Sequence, residues 1–203
     1  MGSSLVINTF LKPDSRIFFS KLSMKGLVDF NEYSLMEELY KYLEFSPFRG
    51  INDSRLYLEK LLLRVKSGEG SVHYWFIHLR SNSKIIGTLG LTGGTYSKNL
   101  NYLHNNFKSL GYIDKMKSGE VGKGLSPAYW RNGYMLEAMR AYLDFAFKHL
   151  KYNSLWSFTR SDNVPNIKLM EKLSFVKIAT AKDFYKTYDG KLYDANILVL
   201  NNY

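Results

Sequence analysis

The chain has 203 residues, 45% of them hydrophobic, a formal net charge of +10 and no cysteine. That length suits one domain (residues 1–203) with a real core, and the lack of thiols excludes disulfides, thiolate zinc sites and a cysteine nucleophile. No apolar run approaches the roughly 20 residues of a membrane span, and the first ten residues lack the regions of a secretory signal, so no membrane partner and a cytoplasmic location are expected.

In chain order, Arg16–Leu22 predicts a first strand. Leu35–Leu43 carries apolar residues at helical spacing. Asp53 is placed to cap a second helix running to Lys66, with Leu56, Leu58, Leu61, Leu62 and Val65 as its apolar face. His73–Leu79 and Lys84–Leu91 read as a hairpin across the turn residues of 80–83. Residues 92–118 are less regular and predict an insertion with a short helix, because Leu100, Leu103, Phe107 and Leu110 share one helical face. Glu120–Leu125 predicts a strand that stops at Pro127. Gly133 opens a helix over Tyr134–His149, packed through Met135, Ala138, Met139, Tyr142 and Ala146. Ser154–Arg160 predicts a strand, and Asn163 caps a helix over Val164–Leu173 with Pro165 in its first turn. Val176–Thr187 and Lys191–Leu200 flank the turn signal Asp189-Gly190. The order predicts an α/β fold: a mixed, mostly antiparallel sheet of six to seven strands with helices on both faces.

The stretch from Glu120 to Met139 carries the chemistry. A strand that delivers the chain through a proline stop and a glycine turn to a helix N-terminus exposes unpaired backbone N–H groups. The helix dipole adds partial positive charge there, and together they suit a pyrophosphate. Gly133 permits close backbone approach, and Arg131 can add a charge-assisted contact. By spacing alone this is neither a P-loop nor a G-x-G-x-x-G fingerprint, and an ordinary β–α turn fits equally. The net charge is compatible with a solvated lysine face or with an anionic partner, and it weighs against a cationic polyamine substrate. The four histidines show no metal-ligand spacing.

Glu120-Val-Gly, Pro127, Tyr129-Trp130, Gly133-Tyr134 and Glu137-Ala138 together resemble motif A of the GNAT N-acetyltransferases, especially the Rim-type branch that includes ribosomal-protein N-terminal acetyltransferases. Asn163-Val-Pro-Asn166, Glu171-Lys-Leu-Ser-Phe175, the upstream Lys84-Ile-Ile-Gly-Thr-Leu-Gly-Leu and the ending Asp189-Gly-Lys-Leu-Tyr-Asp194 resemble that branch too. The likeness covers roughly residues 16–200 outside the insertion. It implies a GNAT fold and direct attack by an amine on acetyl-CoA, which is a cosubstrate, with no metal and no acyl-enzyme. It implies a cofactor site at Leu125, Ser126, Arg131, Asn132, Gly133, Tyr134, Met135 and Asn163, with Lys168 and Lys172 as candidates for the 3′-phosphate. Glu120 is the candidate base, directly or through water, and Asn166 a candidate to orient the thioester sulfur or a water. As strand residue, helix cap and surface amide, Glu120, Asn163 and Asn166 also have purely structural readings.

Four departures from the family pattern stand out. Arg131 replaces the first glycine of the phosphate loop, Asn166 replaces a serine, and Ser174 replaces a glycine. Met170 falls where many members carry a tyrosine acid. The expected acceptor is a primary amine, either a protein N-terminus or a small amine such as an amino sugar. The insertion is positioned to narrow the acceptor cleft. A homodimer is kept open, and nucleic acid is not expected as a partner. The competing reading is a non-catalytic GNAT-fold protein that binds CoA or nucleic acid.

Overall fold

The computed structural model describes residues 6–68, 70–107 and 114–202. Its strands are β1 (Ile17–Lys21), β2 (Val72–Leu79), β3 (Ile85–Gly93), β4 (Ser118–Leu125), β5 (Ser154–Arg160), β6 (Val176–Lys186) and β7 (Leu192–Asn201). They form one seven-stranded sheet in the order β1-β2-β3-β4-β5-β7-β6. Every neighbouring pair is antiparallel except β4 and β5, which are parallel. The helices are α1 (Leu27–Ser34), α2 (Ile51–Ser67), α3 (Lys98–Asn106), α4 (Tyr134–Asp144) and α5 (Val164–Lys172).

Alternation along the strands splits the apolar residues between two faces. On one face, Trp75, Ile77, Leu89, Leu91, Val121, Leu125, Leu155 and Leu198 pack against Met135, Ala138, Met139 and Tyr142 of α4 and Met170 of α5. On the other face there are two separate clusters. Phe76 and Ile85 meet Phe30 and Tyr33 of α1 and Leu58 and Leu61 of α2. Trp156, Ala195, Ile197 and Val199 meet Leu100 and Leu103 of α3. Between these two clusters, β4 presents Glu120, Gly122 and Gly124.

The strands, the two hairpins, α4 and α5 lie where the sequence pattern places them; α4 continues into a π-helical turn over Phe145–His149. Four local expectations are corrected. The helix before α2 is α1, upstream of the expected segment, and Leu35–Leu43 holds only a 3-10 turn at Glu37–Tyr40. Asp53 lies inside the first turn of α2; Gly50 occupies the cap position, and Asp53 accepts the backbone N–H of Arg49 at 2.8 Å. Leu56 is 65% exposed, because the α2 face that meets the sheet is the Ser54–Leu58–Leu61 stripe. The insertion is shorter than 92–118, since Thr92 and Gly93 complete β3 and Ser118 begins β4. Leu110 lies outside the described residues. No described helix is long and apolar enough to cross a membrane.

Candidate active site

The site begins where two strands part. β4 and β5 pair only at Ser118–Ser154, Gly119–Leu155 and Glu120–Trp156. Beyond that point the two strands diverge while β4 stays paired to β3 as far as Leu125. Gly94 N–H donates to Ser118 O at 2.7 Å and Ser126 N–H donates to Ile86 O at 2.8 Å. Even-numbered residues of β4 therefore face β3, and alternation directs the backbone groups of Val121, Lys123 and Leu125 into the gap. Trp130 Nε1 occupies the Leu125 carbonyl at 2.7 Å. The remaining edge is a row of main-chain donors and acceptors suited to the amides of an extended ligand arm.

That edge leads to the N-terminus of α4. Gly133 holds φ +82° at the cap position, and no side chain caps the helix. The first helical bond is Glu137 N–H to Gly133 O at 3.0 Å, so the N–H groups of the preceding turn remain for an anion. Arg131 adopts φ +62°. The loop keeps the left-handed geometry a glycine favours there, at a cost of about 1–2 kcal/mol. Arg131, Asn132 and Gly133 are exposed, and Tyr134 is half-buried. Met135 is buried in the core and offers only its backbone.

The loop has a support that sequence reading missed. Arg16 Nη1 donates to Asn132 O at 3.1 Å, its Nε donates to Glu137 at 3.0 Å, and its guanidinium lies 4.4 Å from the centre of the Tyr134 ring. The Glu137 carboxylate also accepts from Ser15 Oγ at 2.6 Å and Arg16 N–H at 2.7 Å. Burial pushes the Glu137 carboxyl up, but the hydrogen bonds from Ser15 and Arg16 outweigh it and hold the group below its ordinary range. Only Glu137 was visible as part of the motif; Ser15 and Arg16 lie 122 and 121 residues away.

Glu120 sits at the last β4–β5 pair. Ser97 Oγ donates to its Oε2 and Asn99 Nδ2 donates to its Oε1 at 2.7 Å. Ser97 also caps α3 by accepting Leu100 N–H at 2.9 Å. The insertion is thus tied to the expected catalytic carboxylate. Asn163 Oδ1 caps α5 by accepting Asn166 N–H at 3.2 Å, and Asn166 Nδ2 donates to Thr159 Oγ1 of β5 at 2.8 Å. Strand alternation places Glu120 on the sheet face that carries α3. Thr159 and Asn166 lie on the opposite face, so the two expected catalytic residues flank the gap from its two sides. Met170 is 0% exposed. Lys168 and Lys172 are exposed on α5.

On the Glu120 side, a cleft of about 330 Å³ opens between the Glu37–Pro47 segment and the β6–β7 turn, lined by Tyr40, Lys41, Arg160, Tyr188 and Tyr193 among others. Arg160 lies 3.4 Å above the Tyr193 ring and pairs with Asp162 through two hydrogen bonds of 3.0 and 2.6 Å. Burial, with the negative charges of Glu120 and Glu44 adding to it, raises Tyr185 and keeps it a neutral phenol.

A sequence model of the acetyltransferase (GNAT) domain matches residues 27–176. The chain belongs to the GNAT acetyltransferase family. It is 24% identical over 186 residues to the uncharacterized N-acetyltransferase p20 of Bacillus licheniformis, covering 91% of this chain and 92% of that one. Its fold resembles the ribosomal-protein-S5-alanine acetyltransferase of Vibrio fischeri (TM-score 0.69, 18% identity, 94% and 96% of the two chains). It also resembles the spermidine N-acetyltransferase of Vibrio cholerae bound to CoA and spermine (TM-score 0.69, 15% identity, 93% and 96%). As a GNAT protein the chain is an acetyl-CoA-dependent acyltransferase. The uncapped turn of α4 offers backbone N–H donors, and the open β4 edge offers main-chain groups along the gap toward Glu120.

Proposed function

We propose that this GNAT protein transfers an acetyl group from acetyl-CoA to a primary amine by direct attack within the β4–β5 gap. The carrying observation is the continuous path from the uncapped N-terminus of α4, along the open edge of β4, to Glu120. Arg131, Asn132, Gly133, Tyr134 and Met135 hold the phosphates, chiefly through backbone N–H groups. Leu125 and Ser126 position the start of the pantetheine arm, and Asn163 contacts its amides. The amine enters through the cleft between the Glu37–Pro47 segment and the β6–β7 turn. Glu120 removes its proton directly or through a water, while Ser97 and Asn99 hold the carboxylate in place. Asn166, anchored on Thr159, orients the sulfur or a water. Proximity in the gap supplies much of the rate.

The acceptor is a protein N-terminus or a small amine such as an amino sugar, consistent with the Rim-type resemblance. The net charge of +10 weighs against a polyamine. The deciding experiment incubates the protein with acetyl-CoA and an alanine-initiated peptide, glucosamine or spermidine, reading release of free CoA thiol. The peptide or the amino sugar should turn over best. Release of thiol with spermidine alone would overturn the charge argument. Release with none of the amines would overturn the proposed acceptor class.

A further inference from the structure

Lys123 lies in the middle of the open β4 edge. It stands opposite Leu89 in a register without a bulge, and partners across an antiparallel pair share a face. Leu89, Val121 and Leu125 all belong to the core cluster under α4 and α5, so the Lys123 side chain leaves the strand on that face. It is partly buried, and among the described residues no hydrogen bond or ion pair is found for it. Burial without a counter-charge is unfavourable for an ammonium, and it lowers the Lys123 pKa to about 8. The same face of β5 carries two polar residues in an otherwise apolar layer, Ser157 at 1% and Thr159 at 2% exposure, with Asn166 bonded to the second.

Aminolysis of a thioester expels a thiolate. In the proposed reaction the amine arrives from the Glu120 face, so the sulfur departs toward the opposite face, where Lys123, Thr159 and Asn166 stand. Met170, on the neighbouring helix, has no proton to give and is sealed in the core. We propose that the Lys123 ammonium protonates the departing CoA sulfur. The new N–C bond forms as the C–S bond breaks, and the C–S electron pair stays on sulfur and takes a proton from Lys123 Nζ. The surplus proton of the attacking amine goes to Glu120 or water, and neutral Lys123 regains its proton from solvent. An ordinary thiol titrates near 8.5, so donor and acceptor are closely matched, as efficient proton transfer requires.

This inference rests on the direct-transfer reading, and its test separates the two. The bound thiol of CoA is titrated by its thiolate absorbance on the wild type and on Lys123→Met, a substitution that preserves length and removes a desolvated charge; Lys123→Gln serves if the first variant fails to fold. The ammonium should lower the thiol titration of the wild-type complex by about one unit relative to the variant. Identical titrations would overturn the proposal whatever the acceptor, and this arm decides even if no amine is turned over. With the best amine of the acceptor panel, Lys123→Met should lose about 10²-fold in kcat and keep acetyl-CoA affinity within twofold. Trimethylammonium, which cannot be acetylated, should restore part of the kcat of Lys123→Ala. An unchanged kcat would overturn the role. So would stoichiometric acetylation of Lys123 in the intact mass, because it would make the side chain a nucleophile.

Discussion

The two faces of the β4–β5 gap are built in different ways. On the α4 side the parts proposed to bind the cofactor are mostly backbone: an uncapped helix turn, a left-handed glycine and an open strand edge. They come from one continuous stretch, 121–135, braced by Ser15 and Arg16. On the α3 side the proposed working parts are side chains brought from far apart. Glu120 comes from β4, Ser97 and Asn99 from the insertion, Arg160 from the end of β5, and Tyr188 and Tyr193 from the last hairpin. A site made of backbone tolerates side-chain change provided the turn geometry survives. A site made of convergent side chains changes specificity whenever one element shifts. The comparison leads to the expectation that donor binding and acceptor choice can be perturbed separately in this molecule.

The largest expected break is on the α3 side. Glu120→Gln retains the bond from Ser97 but loses the proton acceptor. Steady-state kinetics should show turnover falling by about 10²–10⁴-fold, with acetyl-CoA affinity unchanged by calorimetry. A more acidic acceptor amine should recover part of the loss. If turnover holds, Glu120 is a tether for the insertion and solvent removes the proton.

Leu100→Ala tests the packing of the same side. Leu100 is fully buried between α3 and the sheet, so truncation should cost about 3 kcal/mol in urea unfolding. Acetyl-CoA affinity should stay within twofold, since the proposed cofactor site has no residue on α3. A parallel loss of affinity would show that the two faces are coupled.

On the α4 side, Gly133→Val strains a position at φ +82°. The added Cβ itself meets only Arg16 Nη2 at an ordinary 3.5 Å, so the penalty is in the backbone and amounts to about 1–3 kcal/mol. Acetyl-CoA binding should weaken by about 10–100-fold, with the KM for the amine little changed. Binding within twofold of the wild type would displace the phosphate site from this loop.

The smallest effect concerns the brace. The folded Glu137 carboxyl titrates below its ordinary value of 4.5, so its ion pair contributes stability above about pH 4.5. That contribution is lost as pH falls through the depressed folded value. Glu137→Gln should be less stable than the wild type at pH 7, by no more than about 1 kcal/mol because Arg16 is half exposed. The difference should close in thermal melts as acid protonates the wild-type group. A gap that persists in acid would mean that the hydrogen bonds from Ser15 matter and the charge does not.

What the sequence determined by itself was whatever depends on neighbours along the chain. Strand alternation, the 3.6-residue stripe of α4, the Asn163 cap, the Asp189-Gly190 turn and the strand–turn–helix order around Gly133 were all legible from short-range periodicity and turn chemistry. The loop proposed for phosphate belongs to this group because its candidate donors are consecutive backbone amides. Where local signals are weak or ambiguous, the fold departs from the pattern. Asp53 has the chemistry of a cap but sits inside the first turn of the helix that Gly50 caps, and the apolar spacing of Leu35–Leu43 is helical while the helix forms at Leu27–Ser34. The tertiary structure alone decided which groups meet across the sheet. Arg16 reaches Glu137 and Asn132, and Ser97 and Asn99 hold Glu120. These contacts arise from strand order and register, which close loops of tens of residues through burial that no local pattern encodes. For that reason the strand–turn–helix segment around Gly133 could be read from one motif, while the groups that surround Glu120 had to be read from the folded chain.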